Sequence, residues 1–267
     1  MLITGRDGAD TFTANGTAGA DSIVIDAAGN ASGTIRVNAS TAVAFESLET
    51  FSVDPGADTD SVTVNASTNN DTVSVSATAV TVNGQTFGLA NNESIVVNLG
   101  DGDDAATVTP GAVPIAVNGG DPTASDTLTF SGQGAAITVD LAAQTITETG
   151  LHPVSFTGIE HVTVNAAGQA VTVNGSGGDD EISYSPTTAT SGLVSNAGQN
   201  VVFDVTGVGS LALNPGDGSD TVTVNGNASD NSISVARGAT TTVTVDGLLA
   251  AQVNAGTTET LVVAAGL

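Results

Sequence analysis

The stretch GDGSDTVTVNGNASDNSISV, residues 216–235, contains the pattern that decides the fold. Asp220 and Asn231 are each followed by a small hydroxyl residue and by two apolar residues that one polar residue separates. Strict alternation places Val222 and Val224 on one face of a strand and the polar residues on the other. Each copy therefore predicts a short strand with one buried face.

The same pattern recurs along the chain. Its copies begin at Asp10, Asp21, Asp60, Asp71, Glu93, Asp126, Glu160, Asp180, Asp220, Asn231 and Glu259. Several neighbouring copies are separated by 11 residues, as from Asp60 to Asp71, or by 22, as from Asp71 to Glu93. A longer period is marked by acidic triplets that begin at Glu46, Glu93, Glu160 and Glu259, with a degenerate copy at Gly209. The interval from Glu46 to Glu93 is 47 residues and the next is 67, so the second is longer by nearly one 22-residue unit.

Regular short strands joined by Gly, Asp and Asn turns are typical of proteins in which each repeat stacks on the previous one. We therefore predict an all-β protein: a parallel β-solenoid, similar to a β-helix or β-roll, with strands at 11- and 22-residue spacing. Stacking predicts Val and Ile ladders inside and Asn and Thr ladders near the turns. An antiparallel β-sandwich is the alternative. We expect residues 1–267 to form one continuous array without caps, as a fragment of a longer array or as a polymerising protomer.

The charge of the chain restricts its partners. The sequence has 28 acidic residues, three Arg and no Lys, which gives a formal net charge of -25. We expect no binding to nucleic acid phosphates or to an anionic membrane, because both need a basic surface. No apolar run approaches the roughly 18 residues of a membrane span, so we expect no membrane insertion. The absence of Cys excludes disulfides and thiolate metal sites.

The turns before several strands are rich in Gly and Asp: GRDGAD at residues 5–10, GTAGAD at 16–21, LGDGDD at 99–104, GSGGDD at 175–180 and PGDGSD at 215–220. Aligned on the last Asp, they resemble the calcium-binding nonapeptide GGxGxDxUx of haemolysin-type (RTX) repeat proteins. PGDGSDTVT and GTAGADSIV match that pattern best. The 11-residue spacing differs from the nine residues of the family, so the resemblance is to degenerate RTX-like repeats of long secreted bacterial surface proteins.

The resemblance implies calcium between stacked turns, held by motif carboxylates and backbone oxygens. The principal carboxylates that it implies are Asp10, Asp21, Asp104, Asp180 and Asp220. The auxiliary carboxylates are Asp7, Asp101, Asp103, Asp179 and Asp217. Glycine permits the positive-φ turns that bring carbonyl groups together, and calcium prefers six to eight oxygen ligands. The alternative is that these residues only make tight turns in which Asp side chains accept backbone N–H groups.

We expect this chain not to be an enzyme, because acidic pairs lie side by side in Gly turns rather than across a groove. The function that these observations favour is structural: an extracellular, calcium-stabilised β-solenoid that serves as a filament, surface-layer or matrix subunit. End-to-end self-association into a homopolymer is the expected partnership. The alternative is an adhesin stalk or a binding module of a larger surface protein. Both alternatives place the chain outside the cell or on its surface.

Overall fold

The computed structural model describes residues 1–29, 31–120, 125–228 and 231–266. These residues form 28 short strands and no helix. The strands are β1 (Leu2–Thr4), β2 (Thr11–Asn15), β3 (Ser22–Gly29), β4 (Ser32–Val37), β5 (Val43–Glu46), β6 (Thr50–Asp54), β7 (Ser61–Asn65), β8 (Thr72–Ser76), β9 (Ala79–Val82), β10 (Gln85–Leu89), β11 (Ser94–Gly100), β12 (Ala105–Val108), β13 (Ile115–Gly120), β14 (Thr127–Ser131), β15 (Ile137–Asp140), β16 (Thr145–Glu148), β17 (Val154–Thr157), β18 (His161–Asn165), β19 (Ala170–Asn174), β20 (Glu181–Thr188), β21 (Ser191–Asn196), β22 (Val202–Thr206), β23 (Ser210–Asn214), β24 (Thr221–Asn225), β25 (Ile233–Ala236), β26 (Thr240–Val245), β27 (Ala251–Asn254) and β28 (Thr260–Ala264). None of the described segments is a helix long and apolar enough to cross a membrane.

The strands belong to two mostly parallel sheets, sheet A with 15 strands and sheet B with 13. The chain forms two compact units: unit 1 is residues 1–128 and 151–159, and unit 2 is residues 129–150 and 160–267. In unit 1 the strand order is β1-β5-β4-β3-β7-β11-β13-β17 in sheet A and β2-β6-β10-β9-β8-β12 in sheet B. In unit 2 it is β16-β15-β19-β23-β27-β26-β25 in sheet A and β18-β22-β21-β20-β24-β28 in sheet B.

Parallel pairing between successive coils confirms the predicted solenoid and excludes the antiparallel sandwich. In unit 1, β3 pairs in parallel with β7, and β7 pairs in parallel with β11. The register places Ile23 beside Val62 and Val62 beside Ile95, and all three side chains are buried. In unit 2, β19, β23 and β27 are stacked in the same way. The alternation of apolar and polar residues therefore produces continuous inner rows, as the sequence predicts.

Three-stranded antiparallel meanders interrupt the coils, a feature that the sequence analysis did not predict. Among the described strands, each unit contains two complete meanders: β3–β5 and β8–β10 in unit 1, and β20–β22 and β25–β27 in unit 2. β9 and β10 are joined by Asn83 and Gly84 alone, and both have positive φ, 50° and 86°. This two-residue turn matches the right-handed twist of a hairpin.

The longer sequence period marks the strand that follows each meander. β6, β11, β23 and β28 begin one residue after Glu49, Glu93, Gly209 and Glu259. The first member of this series is therefore Glu49, and the triplet at Glu46 was placed three residues too early. Glu46 lies in β5 and accepts a hydrogen bond from Thr4 Oγ1 at 3.0 Å. The long interval from Glu93 to Glu160 contains β13 and β14, which is the additional 22-residue unit that the spacing indicates.

Asparagine ladders run along the strand ends, as predicted. In unit 1, Asn98 Nδ2 donates to Asn65 Oδ1 at 2.7 Å, and Asn118 Nδ2 donates to Asn98 Oδ1 at 2.6 Å. In unit 2, Asn254 donates to Asn214 in the same way, at 2.8 Å. The ladders satisfy amide groups next to the apolar rows and join neighbouring coils.

Candidate functional site: the aspartate columns

The Gly–Asp turns separate the ten predicted calcium ligands into two groups. The last aspartate of each turn faces inward. Asp21, Asp104, Asp180 and Asp220 are buried, and Asp10 is half-buried. The auxiliary residues lie exposed at the turn tips: Asp7, Asp101, Asp103, Asp179 and Asp217. The division into principal and auxiliary carboxylates therefore corresponds to an inner and an outer position on each turn.

The inner carboxylates form columns that join one coil to the next. In each column, the backbone N–H of one aspartate donates to Oδ1 of the inner aspartate one coil later. This bond is 2.7 Å from Asp21 to Asp60 and 2.8 Å from Asp180 to Asp220. A third column joins Asp71 to Asp104 at 2.6 Å. We call these stacked side chains the aspartate columns.

Glutamates close two of these columns. Asp60 N–H donates to Glu93 Oε2, and Asp220 N–H donates to Glu259 Oε2, both at 2.7 Å. The turn that follows a meander is shorter than a Gly–Asp turn. The longer side chain of glutamate lets its carboxylate reach the aspartate backbone N–H from that turn. The acidic triplets at Glu93 and Glu259 therefore mark the ends of columns, which the spacing alone did not reveal.

The first aspartate of each column is saturated by donors of the protein. Asp21 Oδ2 accepts the backbone N–H of Thr17 at 2.6 Å and its hydroxyl at 3.0 Å, and Oδ1 accepts Asn38 Nδ2 at 2.5 Å. The Thr17 backbone hydrogen bond is the main reason why the pKa of Asp21 is lowered, and the Asn38 and Thr17 side chains add to it against the opposing effect of burial. Asp180 has the equivalent partners in Ser176 and Asn196.

The second aspartates of the columns, Asp60, Asp104 and Asp220, have a different environment. Each is 1% exposed, and its Oδ1 accepts the N–H from the preceding coil. Within the described part of the chain, Oδ2 of each is buried without a hydrogen-bond partner. An unsatisfied buried carboxylate oxygen is costly, so these three atoms need an explanation.

A glycine four residues earlier distinguishes these turns from the saturated ones. Gly56, Gly100 and Gly216 have φ of 115°, 108° and 112°, where the saturated turns have Thr17, Ser67 and Ser176. A Cβ on Gly216 would overlap the carbonyl oxygen of Ser176. Glycine thus permits close stacking but supplies no hydroxyl to the carboxylate. The sequence itself distinguishes the two kinds of turn, because Gly replaces Ser or Thr four residues before the aspartate. This difference was not used to predict which carboxylates lack a hydroxyl donor.

The electrostatic environment of Asp104 agrees with this difference. Burial raises the pKa of Asp104, although the Asp71 backbone N–H opposes the shift. The neighbouring carboxylates of Asp126, Asp71 and Asp103 raise this pKa further. A cation or a proton at this position would relieve the repulsion.

Some turn-tip side chains also link coils. Asp103 Oδ1 accepts the backbone N–H of Ser125 at 3.0 Å, and Asp179 Oδ1 accepts that of Ser219 at 2.8 Å. These bonds are exposed, unlike those of the inner columns. The tips of Asp7, Asp101 and Asp217 are exposed to solvent.

The described residues contain no group of three or more His, Asp or Glu side chains placed to hold a metal ion. Any calcium at the columns would therefore need carbonyl groups and water among its ligands. No protein-family model matches the chain, and no curated protein matches it significantly.

Proposed function

We propose that the chain is an extracellular structural protein, a calcium-stabilised β-solenoid that acts as a filament, surface-layer or matrix subunit. The observation that carries this proposal is the set of aspartate columns, in which carboxylates accept hydrogen bonds from the neighbouring coil. The column bonds from Asp21, Asp71 and Asp180 link residues 33 to 40 positions apart in the sequence, as from Asp71 to Asp104 and from Asp180 to Asp220. Together with parallel pairing and the inner apolar rows, these bonds favour a rigid repeat that resists separation of its coils.

The residues fit calcium best at Asp104 and Asp220. Their buried Oδ2 atoms have no hydrogen-bond partner among the described residues, and calcium binds carboxylate oxygen. Asp101 and Asp103 lie on the same turn as Asp104, and Asp217 lies on that of Asp220. When bound, the ion would neutralise repulsion between carboxylates and stiffen the stacked turns. Asp21 and Asp180 fit less well, because protein donors already use both oxygens of each.

Calcium binding would also explain how a strongly acidic chain folds stably outside the cell. Sites of modest affinity are filled at the calcium concentrations found outside cells. With a formal net charge of -25, the chain repels itself without such cations. Binding would then be coupled to folding after export. The resemblance of the turns to RTX-like repeats supports the same location.

End-to-end self-association is part of this proposal. In the described structure, β1 and β2 are edge strands of unit 1, and β25 and β28 are edge strands of unit 2. Apolar side chains on three of them are exposed: Leu2 by 56%, Val235 by 46% and Val262 by 40%. Electron microscopy with and without calcium tests this part, and monomers under all conditions would refute it.

The calcium proposal is tested by thermal unfolding followed by far-UV circular dichroism, in about 5 mM calcium and in excess chelator. We expect calcium to raise the Tm of the unaltered chain by many degrees. The Asp104→Asn/Asp220→Asn double variant should lose most of that increase. Asp204→Asn is the matched control, because it removes a carboxylate from β22, outside the turns. Coincident curves for the unaltered chain in calcium and chelator would refute calcium binding.

A further inference from the structure

Asp60 and Asn92, in the interior of unit 1, each carry a buried polar atom without a partner. The two residues are 1% and 7% exposed. Within the described part of the chain, Asp60 Oδ2 and Asn92 Nδ2 have no hydrogen-bond partner, so they do not bond to each other either. Each unpaired atom costs free energy unless a bound group satisfies it.

Backbone hydrogen bonds bring these two residues to the same turn. The N–H groups of Glu93 and Ser94 both donate to the carbonyl oxygen of Asp60, each at 3.2 Å. In the other direction, the N–H of Asp60 donates to Glu93 Oε2 at 2.7 Å. Asn92 directly precedes Glu93, so its buried amide belongs to the turn that stacks on Asp60. β11, which follows this turn, pairs with β7 on one side and with β13 on the other, so the turn is not at an edge of the unit.

The equivalent position in an earlier turn of unit 1 is apolar. Glu49 Oε2 accepts the N–H of Asp10 at 2.8 Å, and the residue before Glu49 is the buried Leu48. Asp10 Oδ2 accepts the backbone N–H of Arg6 at 2.6 Å, so that carboxylate already has its partner. The turn itself therefore does not require a polar residue at this position.

A side-chain oxygen precedes the closing glutamate where the carboxylate is unsatisfied. Asn92 has this position beside Asp60. In unit 2, the N–H of Asp220 donates to Glu259, and the residue before Glu259 is Thr258. Oδ2 of Asp220 has no partner among the described residues, as in Asp60. The two side chains differ in size and shape but share an oxygen atom, which is the property that a hard cation selects.

We propose that a calcium ion binds between Asp60 and Asn92, with Asp60 Oδ2 and the amide oxygen of Asn92 as side-chain ligands. A half-turn of the amide places Oδ1 where Nδ2 lies, and calcium uses amide carbonyls together with carboxylates, backbone carbonyls and water. A water molecule satisfies the same two atoms, but only a cation offsets the stacked carboxylates of Asp60 and Glu93. The inference rests on the function proposed above and adds an inner site to those at Asp104 and Asp220.

Calorimetric titration of the metal-free full chain with calcium chloride tests this site. Asn92→Leu replaces the amide by the residue that precedes Glu49. We expect this variant to bind one calcium ion fewer, or to bind one ion about tenfold more weakly, because it lacks the amide ligand. In chelator its Tm should equal or exceed that of the unaltered chain, since an unsatisfied buried amide has been removed. Asn69→Leu, at an exposed turn tip, is the matched control and should bind calcium as the unaltered chain does.

Asn92→Asp tests the same site without adding an apolar side chain. A carboxylate at this position should bind one calcium ion several-fold more tightly, because the charge of the ligand set increases. In chelator the same variant should melt at a lower temperature than the unaltered chain, because carboxylates then repel each other.

The outcomes separate this site from the wider calcium proposal. If the unaltered chain binds calcium and Asn92→Leu binds the same number of ions with the same affinity, the inner site is refuted and the calcium proposal stands. An equal loss of Tm for Asn92→Leu in calcium and in chelator would identify a water position and would also refute the site. Absence of calcium binding by the unaltered chain would refute both.

Discussion

The backbone N–H of Asp180 donates to Oδ1 of Asp220 across 2.8 Å, although 40 residues separate them in the sequence. The same bond joins Asp21 to Asp60 and Asp71 to Asp104 in unit 1. In a parallel sheet, such a bond can form only when the strands of successive coils begin in the same register. The aspartate columns therefore fix the stacking register at the turns, where the apolar rows end.

Removing the acceptor in this pair should destabilise unit 2. Asp220→Ala leaves the buried N–H of Asp180 unpaired, which costs about 1–3 kcal/mol. We expect a lower free energy of unfolding by that amount in urea titrations in chelator. Asp220→Asn is the informative control, because its Oδ1 still accepts the N–H and its amide replaces the unsatisfied Oδ2. Asparagine should therefore be tolerated far better than alanine, and equal losses would show that the column bond contributes little.

The first aspartate of a column should make stability depend on pH. The pKa of Asp21 is lowered from 3.8 in the folded chain, so the unfolded chain binds the proton more readily. The contribution of Asp21 is thus fully present above its ordinary pKa and is lost as the pH falls through the folded value. We expect Asp21→Asn to destabilise the chain at pH 7, and the difference from the unaltered chain to shrink toward pH 2.

The exposed Asp58, at a neighbouring turn tip, provides the control for this titration. Asp58→Asn removes the same charge without removing a saturated carboxylate. Chemical unfolding at a series of pH values from 2 to 7 measures both variants. A constant difference for Asp21→Asn across that range would contradict the predicted linkage.

The sequence predicted the coils because strand alternation depends on neighbouring residues and because the same short pattern recurs along the chain. The copies at Asp60 and Asp220 form β7 and β24, with Val62 and Val222 buried as expected. The meanders were missed because length does not distinguish them. The 22 residues from Asp71 to Glu93 equal two strands of a coil, yet they hold three strands of one sheet. The Asn83–Gly84 dipeptide was the available signal.

The hydrogen bonding of the aspartates could not be predicted from the sequence, and their role as calcium ligands stays a prediction. Inward orientation of Asp104 and Asp220 follows from their place just before an alternating strand. One donor to Asp21 comes from Asn38, which directly follows β4 and is brought beside Asp21 by the antiparallel pairing of β4 with β3. Only a fold with the meander in place reveals that Asp21 is saturated and Asp104 is not.

Close packing of turns predicts a sharp contrast between two glycines of one turn. A Cβ on Gly175 would overlap the carbonyl oxygen of Pro215 and lie 2.7 Å from Asp180 Oδ2. A Cβ on Gly177 would meet nothing within 4 Å. We expect Gly175→Ala to lower the free energy of unfolding by about 2 kcal/mol or more, because stacked backbones must separate. Gly177→Ala should change it by less than about 0.5 kcal/mol. Similar effects of both in urea titrations would contradict the stacking.

The asparagine ladder of unit 1 has a fixed direction, which yields a further prediction. Asn65 Nδ2 donates to Asp26 Oδ1 at 2.6 Å, and a carboxylate only accepts, so each amide above it presents Oδ1 to the next coil. Asn98 occupies the middle of this ladder, where its Nδ2 donates to Asn65 Oδ1. Asn98→Asp would place a second acceptor against Asn65 and cannot be rescued by reversing the ladder.

We therefore expect Asn98→Asp to destabilise unit 1 by about 1–3 kcal/mol at pH 7. Asn98→Ala removes the same donor and also the acceptor of Asn118 Nδ2, but it adds no charge against Asn65 Oδ1, so we expect it to cost less than Asp at this position. Urea unfolding of the two variants at pH 7 makes the comparison. The two losses of free energy of unfolding distinguish the alternatives. If Asp26 holds the ladder in one direction, alanine must cost less than aspartate. If the ladder can reverse, aspartate should cost no more than alanine.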